Sequence, residues 1–254
     1  TTAIEKMSSN PLLISNSLND TFDEIKRCLL QELGSTICSA TVYGSALCED
    51  YCKYSDIDIL LVLKNVDYSI LQRLNKIRSY FASKMVMIDI TVHSEKEAPK
   101  MRGKAFWHNN RSFFIQKELN LYGKILIGRN LFPFENISSN DLKLEAVHVI
   151  NSLLYQTRKA LINREITDSA KIVIIKHCIY AVLYALSFKG IFPSSKQEAL
   201  ILFSQEFNTE INPSIFLEIK KNRADRITQE DIQSAYSFLS ELDTIIFSLY
   251  EETV

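Results

Sequence analysis

The sequence is poor in glycine and proline, with 6 and 5 residues among 254. Glycine therefore stands at roughly a third of its usual share of about 7%. This scarcity argues against glycine-rich β architectures, low-complexity segments and a dinucleotide-binding fold that needs several glycines. Disorder is excluded as well, because 46% of the residues are hydrophobic and only 23% are charged. A chain of this length forms one large domain or two modest ones.

The sequence also lacks an excess of either charge, with 29 basic and 30 acidic residues and a net charge of -1. This balance argues against a nucleic-acid partner, which usually requires a basic chain. The two halves differ slightly: residues 1–130 carry 17 basic and 14 acidic side chains, and residues 131–254 carry 12 and 16. The mildly acidic second half favours a cationic ligand.

Long apolar runs and a cysteine framework are missing too. No window approaches the ~18 uninterrupted apolar residues of a membrane span, and residues 1–17 lack the pattern of a signal peptide. The five cysteines are odd in number and scattered, which is typical of free thiols in a reducing compartment. Cys48 and Cys52 form a CxxxC pair, but no second Cys/His pair follows at zinc-ligand spacing. We therefore expect a cytoplasmic protein with no membrane contact.

The hydrophobic pattern changes along the chain. Before residue 130 it predicts helices at 18–33 and 68–82, with strands at 36–43, 57–63 and 85–92. After a linker at 131–136 it has helical period throughout, at 142–162, 169–188, 196–207 and 231–250. The predicted fold class is α+β, with a mixed-sheet domain at 1–130 and an all-helical domain at 131–254.

Two aspartates begin the strand predicted at 57–63. Asp56 and Asp58 are two residues apart, so in an extended chain their side chains project to the same side. Neighbouring carboxylates repel one another unless a cation lies between them. Divalent cations with oxygen ligands, such as Mg²⁺, fill this role and bridge to substrate phosphates.

A third carboxylate and a tight turn accompany this pair. Asp89 lies inside the alternating apolar run of the next predicted strand, where a carboxylate is costly unless it is paired or binds a metal. If the two strands are neighbours, Asp89 can reach the same cation. Gly44-Ser45 follows the strand predicted at 36–43, where glycine lets phosphate oxygens approach the backbone and serine adds a hydroxyl donor.

Together these residues resemble the signature of the polymerase-β-type nucleotidyltransferase superfamily. That signature combines a Gly-Ser turn, here Gly44-Ser45, with Ser55-Asp56-Ile57-Asp58 and a later acidic strand residue, here Asp89. The resemblance covers roughly residues 20–92. It implies that Asp56 and Asp58 hold two Mg²⁺ ions. Asp89 would help to hold one ion and could take the acceptor's proton, a choice that the sequence leaves open.

The resemblance also implies the co-substrate, which is ATP or another nucleoside triphosphate. Gly44, Ser45 and Ser55 would contribute to binding its phosphates. The product is expected to be an acceptor that carries a nucleoside monophosphate on a hydroxyl group.

Residues 131–254 resemble the helical domain of streptomycin/spectinomycin-type adenylyltransferases. In those enzymes a Ser-Lys-x-x-Ala stretch supplies a lysine to the triphosphate, and here the stretch is Ser195-Lys196-Gln197-Glu198-Ala199. Lys196 at a helix start suits that role, although a solvated lysine is an equal alternative. The family's arginine on the preceding helix is replaced here by Lys176 and His177.

The sequence thus predicts an Mg²⁺-dependent enzyme that transfers AMP from ATP to a hydroxyl of a small molecule, with an aminoglycoside-like antibiotic as a candidate acceptor. One alternative is a toxin–antitoxin-type nucleotidyltransferase that modifies a protein or RNA. Another is a nucleotide-binding regulator without catalysis. An aromatic cluster around Trp107, Phe113 and Phe114 lies on a further predicted helix and is expected to be core between the domains rather than a base-stacking site. Acceptor, base preference and oligomeric state are not encoded in any motif.

Overall fold

A computed structural model describes residues 11–47, 55–97, 112–129, 131, 137–162, 166–222 and 226–253. The described residues form two compact units. Unit 1 comprises those within 1–102 and 118–133, and unit 2 comprises those within 103–117 and 134–254. The domain boundary after residue 130 stays a prediction.

Unit 1 contains a four-stranded mixed sheet and two helices that precede and interrupt it. The helices are α1 (Pro11–Leu33) and α2 (Tyr68–Ser83), and the strands are β1 (Ile37–Tyr43), β2 (Ile57–Leu63), β3 (Ile88–Ser94) and β4 (Lys124–Gly128). The strand order is β3-β2-β1-β4. β1 is antiparallel to both of its neighbours, whereas β2 and β3 are parallel and joined through α2. This confirms the predicted mixed sheet.

The sheet has one apolar face and one more polar face. On β2, Ile57, Ile59 and Leu61 are fully buried in a core shared with the apolar sides of α1 and α2. Because side chains alternate along a strand, Asp58 projects from the opposite face together with Leu60. The apolar pattern of β2 therefore determines on which face the carboxylate lies.

The regular secondary structure in the described part of unit 2 is all helical. α3 (Ser112–Leu121) begins in this unit and ends in unit 1. It is followed, after β4, by α4 (Ser139–Ile162), α5 (Asp168–Phe188), α6 (Lys196–Glu206), α7 (Ser214–Asn222) and α8 (Gln229–Glu251). The largest fully buried side chains of this unit are aromatic: Tyr184, Phe203, Phe216 and Phe238. The all-helical second half is confirmed.

Several of these helices begin at a hydroxyl side chain that caps the backbone. Ser195 accepts a hydrogen bond from the N–H of Glu198 at 3.0 Å, as expected for the start of α6. At α4 the capping residue is Ser138, whose hydroxyl accepts from the N–H of Asp141 at 3.1 Å. Each cap satisfies an N–H group that has no partner within its helix.

α5 is a long helix that is rich in apolar residues. By length and apolar composition alone it could cross a membrane, although Lys171 and Lys176 interrupt its apolar run. However, 67% of its apolar stretch is buried within the protein. A helix that is apolar on most of its surface is expected where other helices surround it, as they do here.

Two elements were not predicted from the sequence. β4 is only five residues long, and it exists because it pairs with β1 from far along the chain. α7 has nine residues, too few to give a clear helical period. In addition, β3 begins at Ile88 rather than at residue 85, since Met85 has a φ of 60° and belongs to a turn.

Glu145 is a buried carboxylate that holds the start of α3. Its Oε1 accepts from the backbone N–H of Phe113 at 3.0 Å, and its Oε2 accepts from that of Phe114 at 2.9 Å. The side chain comes from α4 and is only 7% exposed. Burial raises the pKa of Glu145 to about 7, against the effect of the two hydrogen bonds. Glu145 therefore caps the first turn of α3.

Glu145 should make the stability of the protein depend on pH. Because its folded pKa of about 7 lies above the ordinary 4.5, the folded state retains a proton that the unfolded state has released between these values. The free energy of unfolding should therefore fall by roughly 3 kcal/mol as pH rises from 4.5 through 7. Glu145→Gln should remove this part of the slope in urea unfolding measured at several pH values.

Glu241→Gln is the control for this prediction. The carboxylate of Glu241 also accepts from a backbone N–H, that of Glu210 at 2.9 Å, but this hydrogen bond is exposed to solvent. The substitution should leave the contribution of Glu145 to the slope in place. Parallel curves for the wild type and Glu145→Gln would show that Glu145 does not titrate in this range.

Candidate functional site

The turn after β1 brings its backbone against the carboxylate of Asp58. Gly44 begins a short 3₁₀ turn, Gly44–Leu47, and has a φ of 76°, which side chains other than glycine rarely adopt. A Cβ at this position would lie 2.6 Å from Oδ2 of Asp58. Gly44 is therefore needed for two reasons, its backbone conformation and the space that the carboxylate occupies.

Asp58 and Asp89 lie at the same level of neighbouring strands. They are register partners in the parallel pair of β2 and β3, and Tyr43 is the partner of Asp58 in the antiparallel pair of β1 and β2. Side chains of register partners project from the same face of a sheet. The prediction that Asp89 can reach the same cation as Asp58 required their strands to be neighbours. In the structure they are neighbours.

Asp56 and Ser55 directly precede β2. The N–H of Ile57 donates to the carbonyl of Met87 at 2.8 Å, so pairing with the chain that leads into β3 starts here. Asp56 is partly buried and Asp89 is exposed, whereas Ser55 is only 4% exposed. The roles of Ser45 and Ser55 in phosphate binding stay predictions.

The donor set suits a hard divalent cation without forming a closed cage. Within the described ranges, no three His, Cys, Asp or Glu side chains are grouped closely enough to form a ready metal cluster. Mg²⁺ does not require one, since it keeps several waters and binds through one or two carboxylates together with substrate phosphates. Asp58 and Asp89, in register beside the Gly44 turn, therefore fit this ion, with Asp56 two residues before Asp58.

Three further side chains lie near Asp58 and Asp89, namely Tyr43, Thr91 and Glu118. The sequence did not single them out for the site. Tyr43 ends β1 as the register partner of Asp58, and Thr91 lies two residues after Asp89 on β3. Burial, followed by the negative charge of Asp58, raises the pKa of Tyr43 above its usual range, and Glu118 and Asp89 act in the same direction. The phenol therefore stays neutral beside three carboxylates. In the sequence, the position of Tyr43 directly before Gly44 could have indicated its place beside the site.

Lys196 lies in unit 2 as the first residue of α6, where the sequence placed it. Its side chain is partly buried. The carboxylate of Glu198 accepts from the N–H and the hydroxyl of Ser194, at 2.6 Å each, so this helix start carries its own capping groups. The contact of Lys196 with a triphosphate stays a prediction.

The remaining predictions for unit 2 concern its core. His177, at the position of the expected arginine, is buried with Nδ1 3.0 Å from the hydroxyl of Thr157. Phe114 packs against Tyr184 with ring centroids 4.9 Å apart, as expected of core. Trp107, Cys48 and Cys52 lie outside the described residues.

Residues 23–181 match the family model of the nucleotidyltransferase domain. This match spans more than half of the chain and includes the Gly44 turn and all three aspartates. The chain therefore belongs to the nucleotidyltransferase domain family. A comparison with curated protein sequences finds no match.

The fold is similar to that of a solved spectinomycin adenyltransferase, AAD(9) from Enterococcus faecialis, in a crystal structure with ATP and spectinomycin. The TM-score is 0.62 at 12% sequence identity, over 90% of this chain and 99% of that one. A STING-associated CdnE c-di-GMP synthase from Capnocytophaga granulosa matches with a TM-score of 0.31 at 13% identity, over 95% of this chain and 83% of that one. Only the first similarity is high enough to show a shared fold.

Replacing Gly44 by alanine should displace the carboxylate of Asp58. The new Cβ would meet Oδ2 at 2.6 Å, and the φ of 76° adds backbone strain of roughly 1–2 kcal/mol. Divalent-cation binding, measured with Mn²⁺ by electron paramagnetic resonance, should weaken by more than about 10-fold.

Gly190→Ala provides the matched control. Gly190 has nearly the same φ, 77°, but a Cβ there would meet nothing within 4 Å. This variant should show a similar loss of melting temperature from backbone strain while Mn²⁺ binding is retained. Equal Mn²⁺ affinity in the two variants would contradict a role of Gly44 in placing Asp58.

Proposed function

We propose that this chain transfers a nucleoside monophosphate, AMP from ATP, to a hydroxyl group of a small molecule. The observation that carries the proposal is the position of Asp58, which lies against the Gly44 turn and in register with Asp89. A turn that begins with glycine, next to paired carboxylates, suits the binding of a triphosphate and a divalent cation.

The residues of the site divide into those that would hold metal and those that would bind phosphate. Asp56 and Asp58 would hold two Mg²⁺ ions, with Asp89 joining them at the ion nearer the acceptor. Bound Mg²⁺ supplies activation of the attacking hydroxyl and neutralises the leaving pyrophosphate. Gly44 and Ser45 would seat the β- and γ-phosphates, with Ser55 nearby and Lys196 as a further phosphate ligand.

The chemical step breaks a phosphoanhydride bond and forms a phosphoester bond. The bond between the acceptor oxygen and the α-phosphorus forms while the bond from that phosphorus to pyrophosphate breaks. The acceptor proton passes to Asp89, which is exposed, or to solvent if Asp89 serves only as a metal ligand. In either case the residues orient the reactants, and most of the catalysis is electrostatic.

A small cationic acceptor is the second part of the proposal. The sequence from 131 to 254 has four more acidic than basic residues. The structurally similar adenyltransferase was solved with spectinomycin, which supports an aminoglycoside-like antibiotic and a role in resistance. A cytoplasmic location accords with the free thiols of Cys28, Cys38 and Cys178.

The direct test is to incubate the protein with ATP, Mg²⁺ and a panel of antibiotics, and to follow pyrophosphate release and product mass. A gain of one nucleoside monophosphate on a small molecule is expected. The same gain on a protein or RNA would indicate the toxin–antitoxin type. Nucleotide binding without pyrophosphate release would indicate a regulator.

Asp58→Asn should lower transfer by roughly 100- to 1,000-fold, because a neutral amide holds a divalent cation poorly. The variant should remain folded, since Asp58 projects from the face opposite the apolar core. EDTA should abolish the wild-type activity and added Mg²⁺ should restore it. A variant with full activity would overturn the assignment of Asp58.

Lys196→Ala should raise KM for ATP by roughly 10- to 100-fold, which corresponds to the loss of one charged hydrogen bond. Lys189→Ala is the control, because Lys189 is an exposed lysine of the same unit that lies over the ring of Phe207. Steady-state kinetics with varied ATP would distinguish them. An unchanged KM in Lys196→Ala would assign Lys196 to the solvated helix start.

A further inference from the structure

Helices α1 and α2 of unit 1 are connected by hydrogen bonds at two levels. At the first level, the carboxylate of Glu24 on α1 accepts from the hydroxyl of Tyr80 at 2.6 Å and from the amine of Lys84 at 2.5 Å. At the second, the guanidinium of Arg73 on α2 donates to the carbonyl of Glu32 on α1 at 2.9 Å. Because the partners on α2 run backwards as those on α1 advance, the two helices are antiparallel.

An open groove lies along this helix pair. Its volume of about 510 Å³ falls within the range of roughly 300–1,000 Å³ that is typical of small-molecule sites. Cys28 of α1 and Ile77 of α2 are the most buried of the residues that line it. A cysteine side chain is short, so it leaves space that a longer apolar side chain would fill. The floor of the groove is therefore apolar.

The rim of the groove carries positive charge. Arg27 and Lys76 line it from opposite helices, and Gln31 adds a carboxamide that can donate two hydrogen bonds. Among the described residues of the lining, Glu32 has the only carboxylate, and Arg73 binds the backbone carbonyl of that same residue. α2 itself contains basic residues but no acidic one. This balance favours an anionic ligand over a cationic one.

Lys76 is the cation that is best placed to bind such a ligand. Within the described part of the chain it forms no salt bridge, whereas Nη2 of Arg27 lies 3.6 Å from Oε1 of Glu24. Lys76 can therefore pair with an anion without giving up an internal ion pair. The ring of Tyr80, whose hydroxyl is held by Glu24, lines the groove and offers an aromatic surface.

We propose that the groove between α1 and α2 binds a small aromatic anion. The negative group would lie at Lys76 and Arg27, and the flat apolar body would cover Cys28 and Ile77. This inference goes beyond the proposed function and does not depend on it, because α1 and α2 pack on the face of the sheet opposite Asp58.

The test uses two fluorescent probes that differ in one charged group. Anilinonaphthalene sulfonate is an aromatic anion, and phenylnaphthylamine has the same ring system without the sulfonate. In fluorescence titrations of the full chain, the sulfonate should bind about 5-fold more tightly than the neutral amine, which corresponds to one ion pair near the surface.

Three variants assign this binding to the groove. Lys76→Gln should weaken binding of the sulfonate by about 5-fold and leave binding of the neutral amine unchanged. Arg78→Gln is the matched control, because it also removes a positive charge from α2, but at an exposed position outside the groove. Cys28→Leu should abolish binding of both probes, since the larger side chain fills the floor. Melting temperatures should confirm that the variants are folded.

Thiol alkylation locates the bound probe in the wild type and needs no variant. The sulfonate should slow the reaction of Cys28 with iodoacetamide, as measured by mass spectrometry of peptides. Cys38 is the internal reference, because it is also a partly buried thiol of unit 1 but does not line the groove. Its rate of alkylation should stay the same.

Protection of Cys28 together with charge-dependent affinity would support the anion site. Equal affinity for the two probes, or equal losses in Lys76→Gln and Arg78→Gln, would overturn it. Alkylation of Cys28 that is unaffected by the sulfonate would overturn it as well, as would the absence of binding. None of these results bears on nucleotidyl transfer, which the pyrophosphate assay tests separately.

Discussion

The pairing of β2 with β3 is the constraint on which the candidate site depends. These strands are parallel, and their register aligns Asp58 with Asp89 and, one residue earlier, Ile57 with Ile88. A slip by one residue would turn Asp89 toward the core, where a carboxylate is costly, and would expose its isoleucine neighbours. The apolar core beneath the sheet thus enforces the juxtaposition of the acidic pair above it.

The same reasoning explains why a buried carboxylate is tolerated in unit 2. Among the described residues, the carboxylate of Glu145 accepts from two backbone N–H groups, those of Phe113 and Phe114. Both groups belong to the first turn of a helix. Those groups have no acceptor within their own helix and carry partial positive charge. Each unit therefore combines an apolar core with carboxylates whose positions are set by backbone structure, at a turn in unit 1 and at a helix start in unit 2.

Much of the fold could be predicted because it is local. β2 is a continuous apolar run, and α2 has a clear helical period, so both were found close to their observed bounds. β4 was missed because a five-residue strand is defined by its partner β1, some eighty residues away, and not by its own pattern. Of the candidate site, the Gly-Ser turn and the three aspartates were predicted from the sequence, whereas Tyr43 and Thr91 were not.

The sequence by itself determined which chemistry the chain can carry. It contains Asp56 and Asp58 at alternate positions and a glycine after a strand, and these are properties of neighbouring residues. Only the tertiary structure decided that Asp89 is level with Asp58 and that the carboxylate of Asp58 lies against Gly44. The physical reason is that strand order and register arise from contacts between distant segments, which follow from how the whole core packs and cannot be read from any single stretch of sequence.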